Sequence, residues 1–442
     1  MITHNWVKAN RYQDSVTLMQ AAVRLRAHIG VGDAALMMGT APNKELLHEA
    51  GLLAPAGTAA GPNDLIIAVQ GDAAALDGIA ADLESLLQAD NAGAGQPRAP
   101  DRPHNLAAGL AAQPATNLVL ISTPGLYATA EARKALLAGC HVMIFSDNVT
   151  LDDEAALKTL ATSRGLLLMG PDCGTAILGG VPLGFANAVC RGTIGIVGAS
   201  GTGMQEVTTL IDHYGGGISQ AIGTGSRDLA ARINGAMTII GLQALLADPA
   251  TAVVVVVSKP PHPDVAARVS AAAGGASKPV VFAFLGLDPA DLHLNRGNAK
   301  LIAVATLEEA ARQAVALAGG SPPAPVPPDA AAVQTARASL QPQQRWVRGL
   351  FSGGTFCYEA MLILREAVGA VYSNTPLTPA WSLPNPAHSR DHTCLDLGAD
   401  SFTVGRPHPM IDLSARLARL AVEAADPTVA VLLLDVVLGY GA

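Results

Sequence analysis

Ser200-Gly201-Thr202-Gly203 follows an apolar run at 192–199 and leads into a helical pattern. A strand that turns through small residues into a helix delivers unpaired backbone N–H groups to one point, which is the chemistry of an anion cradle. The loop lacks the lysine and spacing of a Walker loop and the full dinucleotide fingerprint, and a tight strand-to-helix turn is its structural alternative. A second Gly-rich loop, Gly223-Thr224-Gly225-Ser226-Arg227-Asp228, ends the strand at 218–222. Arg227 offers a planar fork for phosphate or carboxylate, or else closes a salt bridge with Asp228 or a neighbour. Lys259 closes the strand at 252–258 as a partner for an oxyanion, or stays solvated. A third Gly-bearing loop, at 405–410, carries Arg406 and His408 ahead of a helix. An anion such as phosphate is thus expected at Ser200, Gly201, Thr202, Gly203, Gly223, Thr224, Gly225 and Ser226. Arg227, Lys259, Arg406 and His408 are the expected catalytic side chains. No metal ligand set is expected.

The cradle has an echo. Leu350-Phe351-Ser352-Gly353-Gly354-Thr355-Phe356-Cys357-Tyr358-Glu359 parallels 197–206, with a strand, a Gly-Thr pair and a Glu four residues after the Thr in each. Asp426-Pro427 before an apolar strand likewise parallels Asp248-Pro249. Two order-matched pairs point to a duplicated flavodoxin-like unit. Gly353, Gly354 and Thr355 then join the expected binding residues, because two copies can aim their helix N-termini at one shared anion.

Strand and helix patterns alternate along most of the chain, which implies parallel sheets with crossover helices and ligands at the carboxyl ends of strands. The expected class is multidomain α/β. A small α/β domain is read at 1–90, with a capped turn at 37–44, then a linker at 90–104. A partial Rossmann-like unit follows at 105–191, with polar strand ends at 122–125, 146–148 and 170–175. A flavodoxin-like unit occupies 192–318 and a Pro/Ala linker 319–344. The second flavodoxin-like unit, at 345–442, carries a polar insertion between its anchors and reads as C-terminally incomplete.

The composition narrows the function classes. With 442 residues, 50% of them hydrophobic and 14% charged, the chain can bury several cores. A net charge of −8 without a basic stripe argues against a nucleic-acid surface. The apolar runs are strand-length, below a membrane span, and the start resembles no signal peptide, so a cytoplasmic protein is expected. The five cysteines, at 140, 173, 190, 357 and 394, form no CxxC and read as buried thiols.

Met169-Gly170-Pro171-Asp172-Cys173-Gly174, the stretch 192–202 and the Asp-Pro strands resemble the α subunit of succinyl-CoA synthetase. The stretch at 394–399 and the strand ending at Gly439 resemble the carboxy-terminal domain of its β subunit. Together with 37–44, 145–148 and 217–228, they make the chain similar to the FdrA family over almost its whole length. The resemblance implies a CoA-binding-type Rossmann domain at 105–191 and two succinyl-CoA-synthetase-type domains. It also implies either acyl-CoA synthetase activity or carbamoyl transfer from oxalurate in anaerobic allantoin breakdown, with partner subunits or a homo-oligomer.

Departures from the ligase pattern favour the second. The strand at 280–286 continues Leu287-Asp288-Pro289 where a phosphate-carrying His is required, and His293 lacks the Gly-His-Ala-Gly setting. Lys259-Pro260-Pro261 stands in place of a Glu-bearing loop, and neither an ATP-grasp domain nor the first Gly-rich half of a CoA-binding domain is visible. The expected function is therefore a carbamoyltransferase subunit acting on oxamate or oxalurate and phosphate, with Arg406 or Arg227 holding the oxamate carboxylate. A CoA ligase and a non-catalytic assembly subunit are the alternatives. Phosphate or carbamoyl phosphate is the expected substrate, and no cofactor is assigned, CoA being tied to the ligase alternative.

Overall fold

The computed structural model describes residues 2–11, 15–88, 103–292, 294, 300–403, 408–410 and 412–437. It divides into two bodies, one built on the first 102 residues and one on Pro103–Phe402 and the chain from His408 onward.

In the first body, strands β1 (Ile2–Lys8), β2 (Val31–Met38) and β3 (Leu65–Gly71) form an antiparallel sheet in the order β1-β3-β2. Side chains alternate across a strand. Leu65, Ile67 and Val69 of β3 therefore pack with Leu18 and Leu25 of the helix Ser15–Arg26, while Ile66 and Ala68 pack with Leu47 and Leu52 on the other face. In the turn at 37–44, the Asn43 amide donates to the Met38 carbonyl at 2.8 Å and the Lys44 ammonium to the Thr58 carbonyl at 2.9 Å. The Asn43 and Lys44 side chains of that turn are spent on the backbone, while Thr40 starts the next helix without a side-chain cap bond.

The second body opens with a three-stranded parallel sheet of β4 (Leu118–Ile121), β5 (His141–Ile144) and β6 (Leu168–Met169), in chain order. Next come β7 (Thr175–Leu178), β8 (Val181–Gly184), β9 (Arg191–Ala199), β10 (Ile218–Gly223), β11 (Val253–Ser258), β12 (Val280–Phe284) and β13 (Leu301–Val304). They form one sheet, β13-β12-β11-β9-β10-β7-β8, parallel from β13 to β10 and closed by an antiparallel hairpin. Residues 175–184, read from sequence with the preceding unit, thus belong to this sheet because β7 pairs with β10. Every residue of β11 is buried, as expected for a parallel strand covered on both faces.

A separate sheet, β15-β14-β16, holds β14 (Trp346–Phe351), β15 (Thr393–Asp396) and β16 (Val429–Leu434), all parallel. The repeat is visible in its register. Val197 of β9 lies opposite Val256 of β11, and its counterpart Leu350 of β14 lies opposite Leu434 of β16. The linker at 319–344 contains an exposed helix, Ala330–Ser339, started by Asp329 accepting from the N–H groups of Ala331 and Ala332. Among the described residues no helix is long and apolar enough to cross a membrane.

Candidate active site

The helices that follow β9 and β14 meet end to end. Ser200 caps the helix Gly201–His213 by accepting from the Gly203 N–H at 3.1 Å, and its Oγ lies 2.6 Å from Thr355 Oγ1 in the first turn of the helix Gly354–Val368. Both hydroxyls are buried. The approach explains two glycines. A Cβ on Gly203 would stand 3.1 Å from Thr355 Cγ2, besides 2.5 Å from Ser200 Oγ of its own cap, and one on Gly353 would stand 2.7 Å from Thr202 Cγ2. Gly201, Thr202, Gly354 and Thr355 occupy the first turns, where peptide N–H groups have no helical acceptor. The structure therefore places the sequence-matched loops Ser200–Gly203 and Gly353–Thr355 against each other.

Three strand ends and one loop bring charge near this junction. Lys259 follows β11, half-buried, and acts electrostatically on Asp396 at the end of β15. Burial pushes the Asp396 carboxyl above the ordinary carboxylate range, while Lys259 and the Gly398 N–H, 3.0 Å from Oδ1, hold it down. Asp435, just beyond β16, accepts from the N–H of Ser352 at 2.9 Å and of Gly353 at 2.8 Å, and pairs with Arg416 at 2.7 Å. His408 accepts from the Met410 N–H at 3.2 Å through Nδ1, which leaves the proton of the neutral ring on Nε2. Burial lowers the His408 pKa, opposed by the charges of Asp147 and Asp435, so the ring is neutral near pH 7.

Arg227 and the Gly223–Ser226 loop are used differently from the expectation. The Arg227 guanidinium pairs with Glu154 at 2.9 Å and donates to the Val149 carbonyl at 2.8 Å, so its fork is taken by protein. The salt-bridge alternative therefore holds for Arg227, with Glu154 as the neighbour. Thr224 is fully buried, its hydroxyl donating to the Gly198 carbonyl at 3.1 Å and its own carbonyl accepting from Lys158 at 2.9 Å. Gly225, at φ 87°, lies where a side chain would meet the Pro171 carbonyl. Of this loop Ser226 is the exposed residue. Lys158 in turn bridges Glu154 and Asp228, each at 2.8 Å, all three buried. Asp228 also accepts from Thr238, at 2.8 Å from its N–H and 2.6 Å from its hydroxyl. This network joins the helix Leu151–Ser163 to the end of β10 and is structural.

Arg406 and His293 lie outside the described residues. Burial raises the Cys173 and Cys394 thiols to about 12 and Cys357 well above its ordinary value, which makes them poor nucleophiles. Asp396, Asp435 and Arg416 were missed in the sequence. The signal for the two acids was their position at the carboxyl ends of apolar strands, where parallel sheets place ligands. Arg416 had none, being one of two arginines, with Arg419, in the amphipathic helix Ser414–Ala425.

Three family models match the chain. They are the AllF heavy metal-associated domain at 1–103, the CoA binding domain at 191–286 and the CoA-ligase at 350–442. Over 449 residues the chain is 44% identical to the uncharacterized protein YahF of Escherichia coli strain K12, covering 98% of this chain and 84% of that one. Among solved structures it is similar to ATP citrate lyase from Methanothrix soehngenii in complex with citrate and coenzyme A. That match has 15% identity and a TM-score of 0.36, and covers 54% of this chain and 46% of the other. A dinucleotide-forming acetyl-coenzyme A synthetase from Ca. Korarchaeum cryptofilum has 17% identity and a TM-score of 0.35, with 57% and 54% covered. The chain spans about half the length of these two structures. The name of the first model implies a heavy metal, but residues 1–103 contain no cysteine, and no group of His, Cys, Asp and Glu able to hold a metal occurs among the described residues. Residues 1–103 thus offer no thiolate to a soft metal.

Proposed function

The chain belongs to the FdrA family, built from CoA-binding-type and CoA-ligase-type domains behind an AllF-type N-terminal domain, and from that premise we propose that it transfers a carbamoyl or acyl group between an amide donor and phosphate. The observation that carries this reading is the 2.6 Å contact between Ser200 and Thr355, which brings the N-terminal turns of two helices together, with Lys259 and Asp396 acting on each other at the neighbouring strand ends. Such fixed dipoles stabilise the charge of a tetrahedral intermediate without reorganising.

In the direction from oxalurate, a phosphate oxygen attacks the terminal carbamoyl carbon, and its carbonyl becomes an oxyanion held by the first-turn N–H groups and the Nε2–H of His408. The C–N bond to the oxamate nitrogen then breaks. Asp396, which burial biases toward its protonated form, gives that nitrogen its proton, leaving oxamate and carbamoyl phosphate. Lys259 neutralises phosphate. The reaction runs in the cytoplasm and together with partner subunits. Purified chain and partners are assayed for oxamate-dependent release of phosphate from carbamoyl phosphate, and absence of turnover removes this reading.

The matches to CoA-binding and CoA-ligase models favour acyl-CoA ligation as the second reading. In the span of the CoA-binding match the residues fit CoA poorly, since Thr224 and Arg227 of the Gly-rich loop are committed to protein partners. A rise in melting temperature with CoA and ATP would favour that second reading over the first.

A further inference from the structure

The two halves of the helix junction are not equivalent. On the side of the helix Gly354–Val368, the N–H groups of Ser352 and Gly353 are already bonded to the Asp435 carboxylate. Arg416 is its counter-cation. This guanidinium is buried and also donates to Ser352 Oγ at 3.1 Å, to the Leu350 carbonyl at 3.0 Å and to the Asp435 carbonyl, so it has no fork to offer a ligand. On the other side the repeat register puts Val257 where Asp435 stands, opposite Gly198 and fully buried. That strand runs on into Lys259 instead.

One repeat therefore ends in a built-in anion, the other in a cation. We propose that Asp435 is a specificity-determining residue: it fills the anion seat of the second repeat and restricts the junction to one external oxyanion, bound on the Ser200 and Lys259 side. The inference rests on the proposed phosphate-dependent transfer only for the identity of that one anion. An occupied second seat also keeps two anions from binding side by side, so the carbamoyl donor enters next to phosphate through its amide end rather than its carboxylate.

The test is calorimetric titration of the full chain with inorganic phosphate, comparing wild type, Asp435→Asn, Asp435→Ala and Lys259→Met. Wild type is expected to bind one phosphate per chain, and Asp435→Ala to bind one more. Asp435→Asn, which keeps a side-chain acceptor for the two N–H groups, is expected to bind phosphate at least tenfold more tightly than wild type and serves if the alanine variant does not fold. Lys259→Met should remove the wild-type site, while Asp435→Ala combined with Lys259→Met keeps the gained one. If wild type binds none and the Asp435 variants bind one, the seat is as described and the transfer reading fails. Folded Asp435 variants with the wild-type isotherm overturn the proposal.

Discussion

Ser200 Oγ stands 2.6 Å from Thr355 Oγ1 although 155 residues separate them in the chain. The contact joins the N-termini of two repeat-related helices, and the neighbouring Gly353 is in van der Waals reach of Thr202 from the opposite repeat. Both contacts depend on residues with almost no tolerance for added volume.

Gly353→Ala places a Cβ 2.7 Å from Thr202 Cγ2, which forces the helix ends apart. The expected outcome is a folded protein with a loss of about 100-fold or more in kcat, the scale of losing an oxyanion donor. Thr355→Val keeps the volume and removes the hydroxyl, with a stability cost of about 1 kcal/mol and a smaller kinetic loss. Phosphate-release kinetics and urea titration separate the two.

Arg227 and Lys259 should behave oppositely. Arg227→Ala removes a half-exposed partner of Glu154, which keeps Lys158, so stability falls by less than about 1 kcal/mol and kcat is unchanged. Lys259→Met should raise the KM for carbamoyl phosphate by more than tenfold. Equal loss in both variants would return Arg227 to the reaction.

Lys158 is buried between Glu154 and Asp228. Lys158→Met leaves two buried carboxylates without their shared cation and should destabilise the fold by about 3–5 kcal/mol, measured by urea unfolding. Adding Glu154→Gln should restore part of this loss.

Glu206 and Glu359, the repeated glutamates, lie on the same helix pair, both within the electrostatic reach of Glu308. Burial is the main cause that raises both pKa values above 4.5, with Glu308 adding to each and Glu206 to Glu359. The folded state therefore binds protons more tightly than the unfolded state, and this stabilisation is complete below the unfolded value and lost as pH rises through the folded ones. Glu206→Gln should raise the melting temperature at pH 7 to 8 and leave it unchanged at pH 4. A gain that does not depend on pH would contradict the assignment.

The alternation of strands and helices and the Gly-Thr echo were legible because they are local patterns of burial and turn chemistry. The placement of β7 and β8 was not, since a short apolar strand does not state which sheet edge it joins. The partner of Arg227 lies 73 residues away, on the helix Leu151–Ser163, beyond any local pattern. Read from sequence, the last strand runs to Gly439, which puts Asp435 inside it, whereas β16 ends at Leu434, and the bond of Asp435 to the Gly353 loop depends on the parallel register of β14 and β16.

The most direct measurement is oxamate-dependent phosphate release from carbamoyl phosphate by the chain with its partner subunits, run on wild type and on Gly353→Ala. Turnover by wild type and its loss in the folded variant is the predicted result. Absence of turnover by wild type, or equal turnover by both, contradicts a reaction at the paired helix ends.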